Sequence, residues 1–289
     1  MSVVDVIILA IVQGFAELLP VSSSAHVIVA EKLMGLDPSS PPMTLLLVML
    51  HTGTMFAVIV YFWEQWRTTY FENWTVFKNA AGSILLATVL TGLIGEGSIK
   101  IIEKTFFRTV STAQIEDLFG HLELIAPALA AAGVLILIAG IIEKRKPTAT
   151  AVEPSPLNAR QAALIGVVQG LCLPFRGFSR SGATISAGML AGVAKSRAES
   201  FSFALAVVLT PVVVAREAMR LIQAERISQT KYFASAMLPS LLGAVFAFLA
   251  GLIALKWLTE WLQGGRWYLF GIYCLVAAAI VLMLHRAGY

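Results

Sequence analysis

The chain has 289 residues, of which 58% are hydrophobic and only 13% are charged, and its mean hydropathy is +0.81. A soluble domain of this size needs a charged surface that so few ionisable residues cannot supply. The net charge of +4 is too small for a nucleic-acid surface and suits basic loops beside lipid headgroups. We therefore predict an all-α, polytopic membrane protein that has no nucleic-acid partner.

Two apolar segments are interrupted by a Leu-Pro step and a polar run. The first, about 3–34, breaks at residues 19–20, and the second, about 161–194, breaks at residues 173–174. Each half-segment is too short to cross a hydrocarbon core of about 30 Å at about 1.5 Å per helical residue. Non-helical backbone at membrane depth must be buried in protein or line a wet cavity. We therefore predict that each segment forms a re-entrant helical hairpin.

Six further apolar stretches are uninterrupted and long enough to span a bilayer. The predicted transmembrane helices lie at about 43–63, 80–96, 123–142, 201–222, 235–258 and 267–285.

The two parts of the chain resemble each other. Val12-Gln13-Gly14 recurs 156 residues later as Val168-Gln169-Gly170, and in both places a Leu-Pro break, a serine cluster and three spans follow. We predict a first repeat at 1–143, a hydrophilic linker at 144–160 and a second repeat at 161–289. An odd number of spans per repeat gives an inverted-topology repeat. The loops on the same side of the membrane as the linker carry more Lys and Arg than the other loops. This excess predicts that the linker is cytoplasmic and that both termini are outside.

Ionisable side chains within membrane segments are costly, so each one is a functional candidate. Glu17 and His26 lie in the first interrupted segment, and Arg180 lies in the second. Gln13 and Glu17 are four residues apart and share a helix face. The serine clusters follow a break, where backbone N–H groups at a helix start are unpaired. Hydroxyls, free N–H groups and a guanidinium predict a phosphate site. A carboxylate beside phosphate needs a proton or a divalent cation such as Mg²⁺.

Structural interpretations stand beside these functional ones. The serines are good helix caps, and an arginine or histidine at a hairpin can simply satisfy backbone carbonyls. The residues open to such an interpretation are Ser22, Ser23 and Ser24 as caps, Arg180 and His26 as structural groups, Gln13 and Gln169 as interhelical contacts, and His51 as a structural histidine.

At this point the motifs resemble a known family. Gln13-x-x-x-Glu17, followed by Leu-Pro-Val-Ser-Ser-Ser-Ala-His at 19–26, is similar to the first motif of the undecaprenyl-diphosphatase (bacitracin-resistance) family. The segment 177–184 resembles its second motif, a Pro-Gly-x-Ser-Arg-Ser-x-x-Thr signature. Arg176 replaces the proline of that signature, and Gln13 leaves one carboxylate where the first motif often has two. The resemblance covers essentially the whole chain.

The resemblance implies hydrolysis of undecaprenyl diphosphate to the monophosphate and inorganic phosphate, which recycles the lipid carrier for cell-wall synthesis. It also implies a divalent cation, Mg²⁺ or Ca²⁺. The protein would be a multi-pass protein of the bacterial cytoplasmic membrane, with its active site open to the extracytoplasmic side.

We assign catalytic roles to Glu17, Ser23, His26 and Arg180. Ser23 is the candidate nucleophile, and either Glu17 or His26 is its base and the leaving-group acid. Arg180 would clamp the diphosphate, and Glu17 is also the candidate metal ligand. The candidate substrate-binding residues are Gln13, Ser22, Ser24, Gly177, Ser179, Ser181 and Thr184. We expect the two hairpin tips to meet, so that Ser23 and Arg180 reach one phosphate.

A transporter is the alternative function. An inverted repeat with broken helices directed at an anion suits a polyprenyl-phosphate flippase or an anion exporter equally well. Release of phosphate from a prenyl diphosphate distinguishes the two functions. The sequence leaves the oligomeric state open, and an oligomer is compatible with it.

Overall fold

The computed structural model describes residues 2–37, 40–106, 122–145, 157–228 and 232–288. All regular secondary structure within these ranges is helical, which confirms the predicted all-α class. Most of the predicted linker, residues 146–156, lies outside them. The ten helices are α1 (Val3–Leu18), α2 (Ser23–Leu33), α3 (Pro41–Tyr70), α4 (Trp74–Phe106), α5 (Leu122–Arg145), α6 (Ala159–Cys172), α7 (Arg180–Leu190), α8 (Lys195–Ser228), α9 (Tyr232–Gln263) and α10 (Trp267–Arg286).

Six of these helices, α3, α4, α5, α8, α9 and α10, are long and apolar enough to cross a membrane. They coincide with the six predicted spans, although α4 extends well beyond the predicted 80–96. Large apolar side chains on them are exposed, among them Leu85 and Leu238 at 64% and 71%. Such a surface is stable against lipid rather than water. The chain is therefore a multi-pass membrane protein.

The other four helices are short and form two consecutive pairs. Helices α1 and α6 have 16 and 14 residues, and α2 and α7 have 11 each. A capping box begins α1, where Ser2 and Asp5 exchange hydrogen bonds, and another begins α6 between Asn158 and Gln161. Helix α1 ends where Leu19 becomes extended ahead of a proline, since the residue before proline avoids helical geometry.

The chain divides into two compact units. The first contains Met1–Leu19, Ser23–Trp63 and Ala206–Leu258. In this unit α1 packs on α2, and α1 and α3 both pack on α9. A Cβ atom on Gly14 would lie 2.5 Å from Ala250 Cβ, and one on Gly53 would overlap the carbonyl of Ala244. Its core consists of Val6, Leu9, Ala10, Val27, Met43, Leu46, Leu50 and Ala247.

The second unit contains Pro20–Ser22, Glu64–Leu205 and Thr259–Tyr289. Here α5 packs on α10, α4 on α6, and α7 on both α5 and α6. A Cβ atom on Gly170 of α6 would lie 2.9 Å from the Thr91 carbonyl oxygen in α4. One buried apolar cluster of this unit contains Ala87, Ala162, Ile165, Phe201 and Leu205.

The packing follows a crossed pattern with respect to the sequence. Gly14 in the first half packs on α9 in the second half, and Gly170 in the second half packs on α4 in the first. The tip of each short pair also contacts a helix from the opposite half of the sequence. Pro20 O accepts a hydrogen bond from Cys274 Sγ of α10 at 3.4 Å, and Gly177 lies against Ile125 of α5. Helices from the opposite half of the sequence thus support each pair.

Candidate functional site

The Glu17 carboxylate is the centre of a polar cluster in the first unit. Gln13, one turn earlier on α1, donates a hydrogen bond from Nε2 to Glu17 Oε2 at 3.2 Å. Gln13 is 1% exposed, and the Glu17 side chain is 13% exposed. A buried amide that donates to a carboxylate holds it in one orientation. The shared helix face of Gln13 and Glu17 was predicted from their spacing.

Ser23 is the second member of this cluster. Its Oγ donates a hydrogen bond to Glu17 Oε2 at 2.6 Å. That length falls in the range of about 2.5–2.7 Å for a hydroxyl bound to a charged oxygen. Ser23 is the first residue of α2, so the turn between α1 and α2 places its hydroxyl beside the end of α1. A hydroxyl within hydrogen-bond reach of a carboxylate is the arrangement that a serine nucleophile and a general base require.

The residue before Ser23 has an unusual backbone conformation. Ser22 has φ of +70°, and it is the one non-glycine residue with positive φ within the described ranges. It is also buried, at 5% exposure. The left-handed region disfavours residues with a Cβ, and such strain is common at functional sites. This turn sets the direction from which Ser23 approaches Glu17.

His51 was interpreted from the sequence as structural, but its ring faces the cluster. His51 Nε2 lies 3.6 Å from Glu17 Oε2, and Nδ1 lies 2.8 Å from the carbonyl oxygen of Leu47. The available signal was a lone ionisable residue within an apolar span. Nothing in the sequence pairs it with Glu17, because the two residues belong to different helices.

Ser24 and His26 lie in the first turn of α2, and both are partly buried. His26 follows Ser23 by three residues, which places the two on neighbouring positions of one helix face. The contact of Ser23 with Glu17 favours Glu17 as the base. The roles of Ser24 and His26 stay predictions.

The second group of candidates surrounds the start of α7 in the second unit. Ser179 is the N-cap, and its Oγ accepts a hydrogen bond from the backbone N–H of Gly182 at 3.2 Å. The capping interpretation, considered for the first serine cluster, thus applies to Ser179. Gly177 has φ of +97°, and a Cβ atom there would lie 2.5 Å from Ile125 O. Only glycine satisfies both constraints.

Arg180 is the first residue of α7 and is partly buried. A cation at a helix N-terminus is opposed by the helix dipole, so this arrangement suits a bound anion. Ser181 is 5% exposed and Thr184 is fully buried. Thr184 Oγ1 donates to Arg180 O at 2.8 Å and lies 2.6 Å from Ser202 Oγ. Thr184 therefore ties the Arg180 turn to α8.

The two glutamines of the repeated sequence have different partners. Gln13 contacts Glu17, whereas buried Gln169 donates to Thr91 Oγ1 of α4 at 3.3 Å. The interhelical interpretation is thus confirmed for Gln169. The predicted meeting of Ser23 and Arg180 at one phosphate stays a prediction, since the two residues belong to different units.

The described side chains around Glu17 bear on how a cation could be held. Among the side chains that the structure describes, no three His, Cys, Asp or Glu residues are grouped so that they could hold a metal ion. Mg²⁺ is commonly held by one or two carboxylates together with substrate phosphates. A single carboxylate such as Glu17 fits that mode, in which the substrate would supply further ligands.

Comparison with known proteins gives matches along nearly the full length. Residues 6–280 match the family described as bacitracin resistance protein BacA. Undecaprenyl-diphosphatase 2 of Acinetobacter baylyi is 55% identical over 287 residues, which cover 98% of both chains. Undecaprenyl-diphosphatase 1 of Burkholderia pseudomallei is 31% identical over 98% of this chain and 96% of its own. Undecaprenyl-diphosphatase 2 of Burkholderia ambifaria is 30% identical over 99% of each.

Proposed function

Because the chain belongs to the bacitracin resistance protein BacA family, we propose that it hydrolyses undecaprenyl diphosphate to undecaprenyl phosphate and inorganic phosphate. The observation that carries the mechanism is the 2.6 Å hydrogen bond from Ser23 to Glu17. The reaction recycles the lipid carrier for cell-wall synthesis.

The first chemical step uses Ser23 and Glu17. Ser23 Oγ attacks the terminal phosphorus, and its proton passes to Glu17 Oε2. The bond from that phosphorus to the bridging oxygen breaks, and the bridging oxygen leaves with undecaprenyl phosphate. His26 lies one turn from Ser23 and supplies a proton to the leaving oxygen. Glu17 then loses its proton to solvent, and His26 regains one from solvent. Water attacks the phosphoserine and gives a proton to Glu17, which passes it to Ser23 Oγ as the phosphorus–Oγ bond breaks and inorganic phosphate leaves.

The start of α7 binds the diphosphate. Arg180 would form a bidentate contact with phosphate oxygens and stabilise the charge that spreads over them in the transition state. Backbone N–H groups at the N-terminus of α7 and the hydroxyl of Ser181 would contribute further donors. Buried Ser179 and Thr184 shape this turn, as their hydrogen bonds to Gly182 and Ser202 indicate. Gln13, Ser22, Ser24 and Gly177 complete the proposed binding set.

A divalent cation, Mg²⁺ or Ca²⁺, is part of the proposal. Glu17 would hold it together with the phosphate oxygens of the substrate. When bound, the cation would neutralise charge on the diphosphate and polarise its phosphorus–oxygen bonds. Without such a cation, an anionic carboxylate would repel the substrate.

We also infer an inverted-topology repeat, with 1–143 and 161–289 as its halves and 144–160 as the linker. The crossed packing of Gly14 on α9 and Gly170 on α4 supports it. So do the two capping boxes, whose first residues, Ser2 and Asn158, are 156 residues apart. The short pairs α1–α2 and α6–α7 would then be re-entrant hairpins whose tips meet.

The proposed location is the bacterial cytoplasmic membrane. The linker would be cytoplasmic, both termini outside, and the active site open to the extracytoplasmic side.

The test is phosphate release by the purified protein in detergent with undecaprenyl diphosphate. We expect multiple turnovers, and we expect less than a thousandth of that rate in Ser23→Ala, since removing a nucleophile removes its whole pathway. A protein that moves polyprenyl phosphate across vesicles but releases no phosphate would instead be a flippase. Fluorescence-detected size exclusion of both proteins in the same detergent controls for folding.

A further inference from the structure

The contact between His51 and the Glu17 carboxylate is unexplained by the roles assigned so far. His51 lies on α3, and its Nε2 is 3.6 Å from Glu17 Oε2, the same oxygen that accepts from Ser23. This separation exceeds a direct hydrogen bond of about 3 Å. It is typical of a close electrostatic contact or one bridged by water. The His51 side chain is 37% exposed, so it is not simply a core residue.

The orientation of the His51 ring is fixed by its own helix. Nδ1 lies 2.8 Å from Leu47 O, one turn earlier on α3. A carbonyl oxygen can only accept, so Nδ1 carries a hydrogen. With Nδ1 held in this way, Nε2 can point only away from the α3 backbone, toward Glu17. A hydrogen bond from one ring nitrogen to a backbone carbonyl commonly positions the other nitrogen of a functional histidine.

The backbones of Glu17 and His51 are also held at a fixed separation. Gly14 is three residues before Glu17, Gly53 is two residues after His51, and both glycines pack against residues 244–250 of α9. A side chain at either glycine would overlap that helix. Because α1 and α3 pack against the same stretch of α9, the packing of the unit fixes the separation of the two backbones that carry the carboxylate and the imidazole.

We propose that His51 is a positioning residue for the Glu17–Ser23 pair. In the imidazolium form, in which both ring nitrogens carry hydrogen, Nε2 holds the Glu17 carboxylate in the orientation in which Oε2 accepts the Ser23 hydroxyl. A glutamate side chain has three rotatable bonds, and Gln13 restrains it only from its own helix. The Ser23 bond restrains it from α2, and His51 adds a restraint from α3. This inference rests on the proposed function, because it assigns Glu17 as the base of Ser23.

Two amide variants of His51 test the contacts of Nδ1 and Nε2 separately. The amide nitrogen of Gln reaches about as far as Nε2, so His51→Gln can still contact Glu17. That of Asn reaches only about as far as Nδ1, so His51→Asn keeps a partner at Leu47 and loses Glu17. Thr52→Val is the matched control, because Thr52 is the neighbouring residue on α3 and donates a similar backbone bond to Val48 O at 2.9 Å.

Turnover of undecaprenyl diphosphate is measured for the wild type and the three variants. We expect kcat of His51→Asn to fall roughly a hundredfold, the cost of misplacing a reacting group by about 1 Å, with KM unchanged. We expect His51→Gln to remain within about tenfold of the wild type and Thr52→Val to match it. Normal turnover in His51→Asn would overturn the proposal. Equal losses in His51→Asn and His51→Gln would also overturn it, since the ring itself would then be required.

Nitrogen NMR of ¹⁵N-histidine-labelled protein tests the contact without activity. The His51 signals, identified by their absence in His51→Gln, should show hydrogen on Nδ1 and should shift at Nε2 in Glu17→Gln. An Nε2 signal that does not respond to Glu17→Gln would overturn the proposal even if the Asn variant failed to fold. If the wild type released no phosphate, the proposed function would fail, whereas the NMR result would still decide the contact.

Discussion

The two short helix pairs share a scaffold but carry opposite chemistry. Each first helix, α1 or α6, begins with a capping box and contains a glycine packed tightly against a long helix. Each second helix starts near a serine, at Ser23 or Ser179. In the first pair that serine donates to a carboxylate, and in the second it caps the helix that Arg180 begins. The first pair thus presents the carboxylate acceptor of Glu17, and the second presents the guanidinium donor of Arg180.

The difference shows which positions vary between the two pairs. The features that the pairs share fix the backbone, and the features that differ lie within a few residues of the break. Glu17 is four residues after Gln13, while the corresponding position after Gln169 is Leu173. At this position the two pairs thus differ by a carboxylate in the first and an apolar side chain in the second.

The largest effect expected is that of Glu17→Gln on the acceptor pair. It removes the base of Ser23 and the carboxylate for the cation, so we expect kcat to fall at least a thousandfold. Added Mg²⁺ or Ca²⁺ should not restore it. In the wild type, EDTA should abolish phosphate release and excess Mg²⁺ should restore it. Full activity of the wild type in EDTA would remove the cation from the proposal and leave Glu17 as the base alone.

The next effect concerns the donor pair. We expect Arg180→Lys to be nearly as damaging as Arg180→Ala, with losses of about a hundredfold or more, because an ammonium group cannot replace a planar bidentate guanidinium. Arg176→Lys, on the exposed part of the same turn, is the control and should stay near the wild-type rate. Near-normal turnover in Arg180→Lys would show that only the positive charge at this position matters, and not the bidentate hydrogen bonds of a guanidinium.

The shared scaffold can be tested at its two glycines. Gly14→Ala and Gly170→Ala should each destabilise the protein by about 1–3 kcal/mol, because the new methyl group meets a neighbouring helix. Gly92→Ala, which faces open space on α4, should leave stability unchanged or slightly raised. Thermal unfolding in detergent measures all three. If one pair tolerated the methyl group and the other did not, the pairs would not share a packing design.

The smallest effects distinguish the matched glutamines. Gln169→Leu should leave turnover unchanged and stability altered by less than about 1 kcal/mol, since Thr91 keeps its bonds to Ala87 O and Gly166 O. Gln13→Leu should lower kcat about tenfold, because Glu17 loses a donor. Initial rates at saturating substrate measure both. Equal rates in the two variants would mean that Gln13, like Gln169, serves only packing.

Much of the architecture could be read from the sequence because lipid imposes simple rules. Helix α1 ends at Leu18, one residue before the predicted break, since proline and polar residues interrupt an apolar run. The predicted span at 80–96 was shorter than α4, because polar residues such as Lys78 and Glu103 continue the helix outside the apolar window. Residue type reveals the membrane-embedded part, but not where a helix stops in water.

The contact between Glu17 and His51 could not be predicted. It joins two helices whose separation is set by glycine contacts with α9, and sequence spacing carries no information about such contacts. The same holds for Thr184, whose partner Ser202 lies on α8. By contrast, Gln13 and Glu17 lie one turn apart on one helix, so the helical repeat was sufficient to pair them.

The positive φ of Ser22 has a consequence for how this protein can evolve. A non-glycine residue in the left-handed region costs about 1–2 kcal/mol, a noticeable fraction of the stability of a typical domain. Burial of Val21 and Ser22, together with the bond from Cys274 to Pro20, offsets that cost. Mutations that stabilise the fold by relaxing this turn would therefore release Ser23 from its orientation. Selection for thermostability without regard to turnover should therefore accumulate substitutions in the Ser22 turn. Each resulting variant should be more stable and less active than its parent.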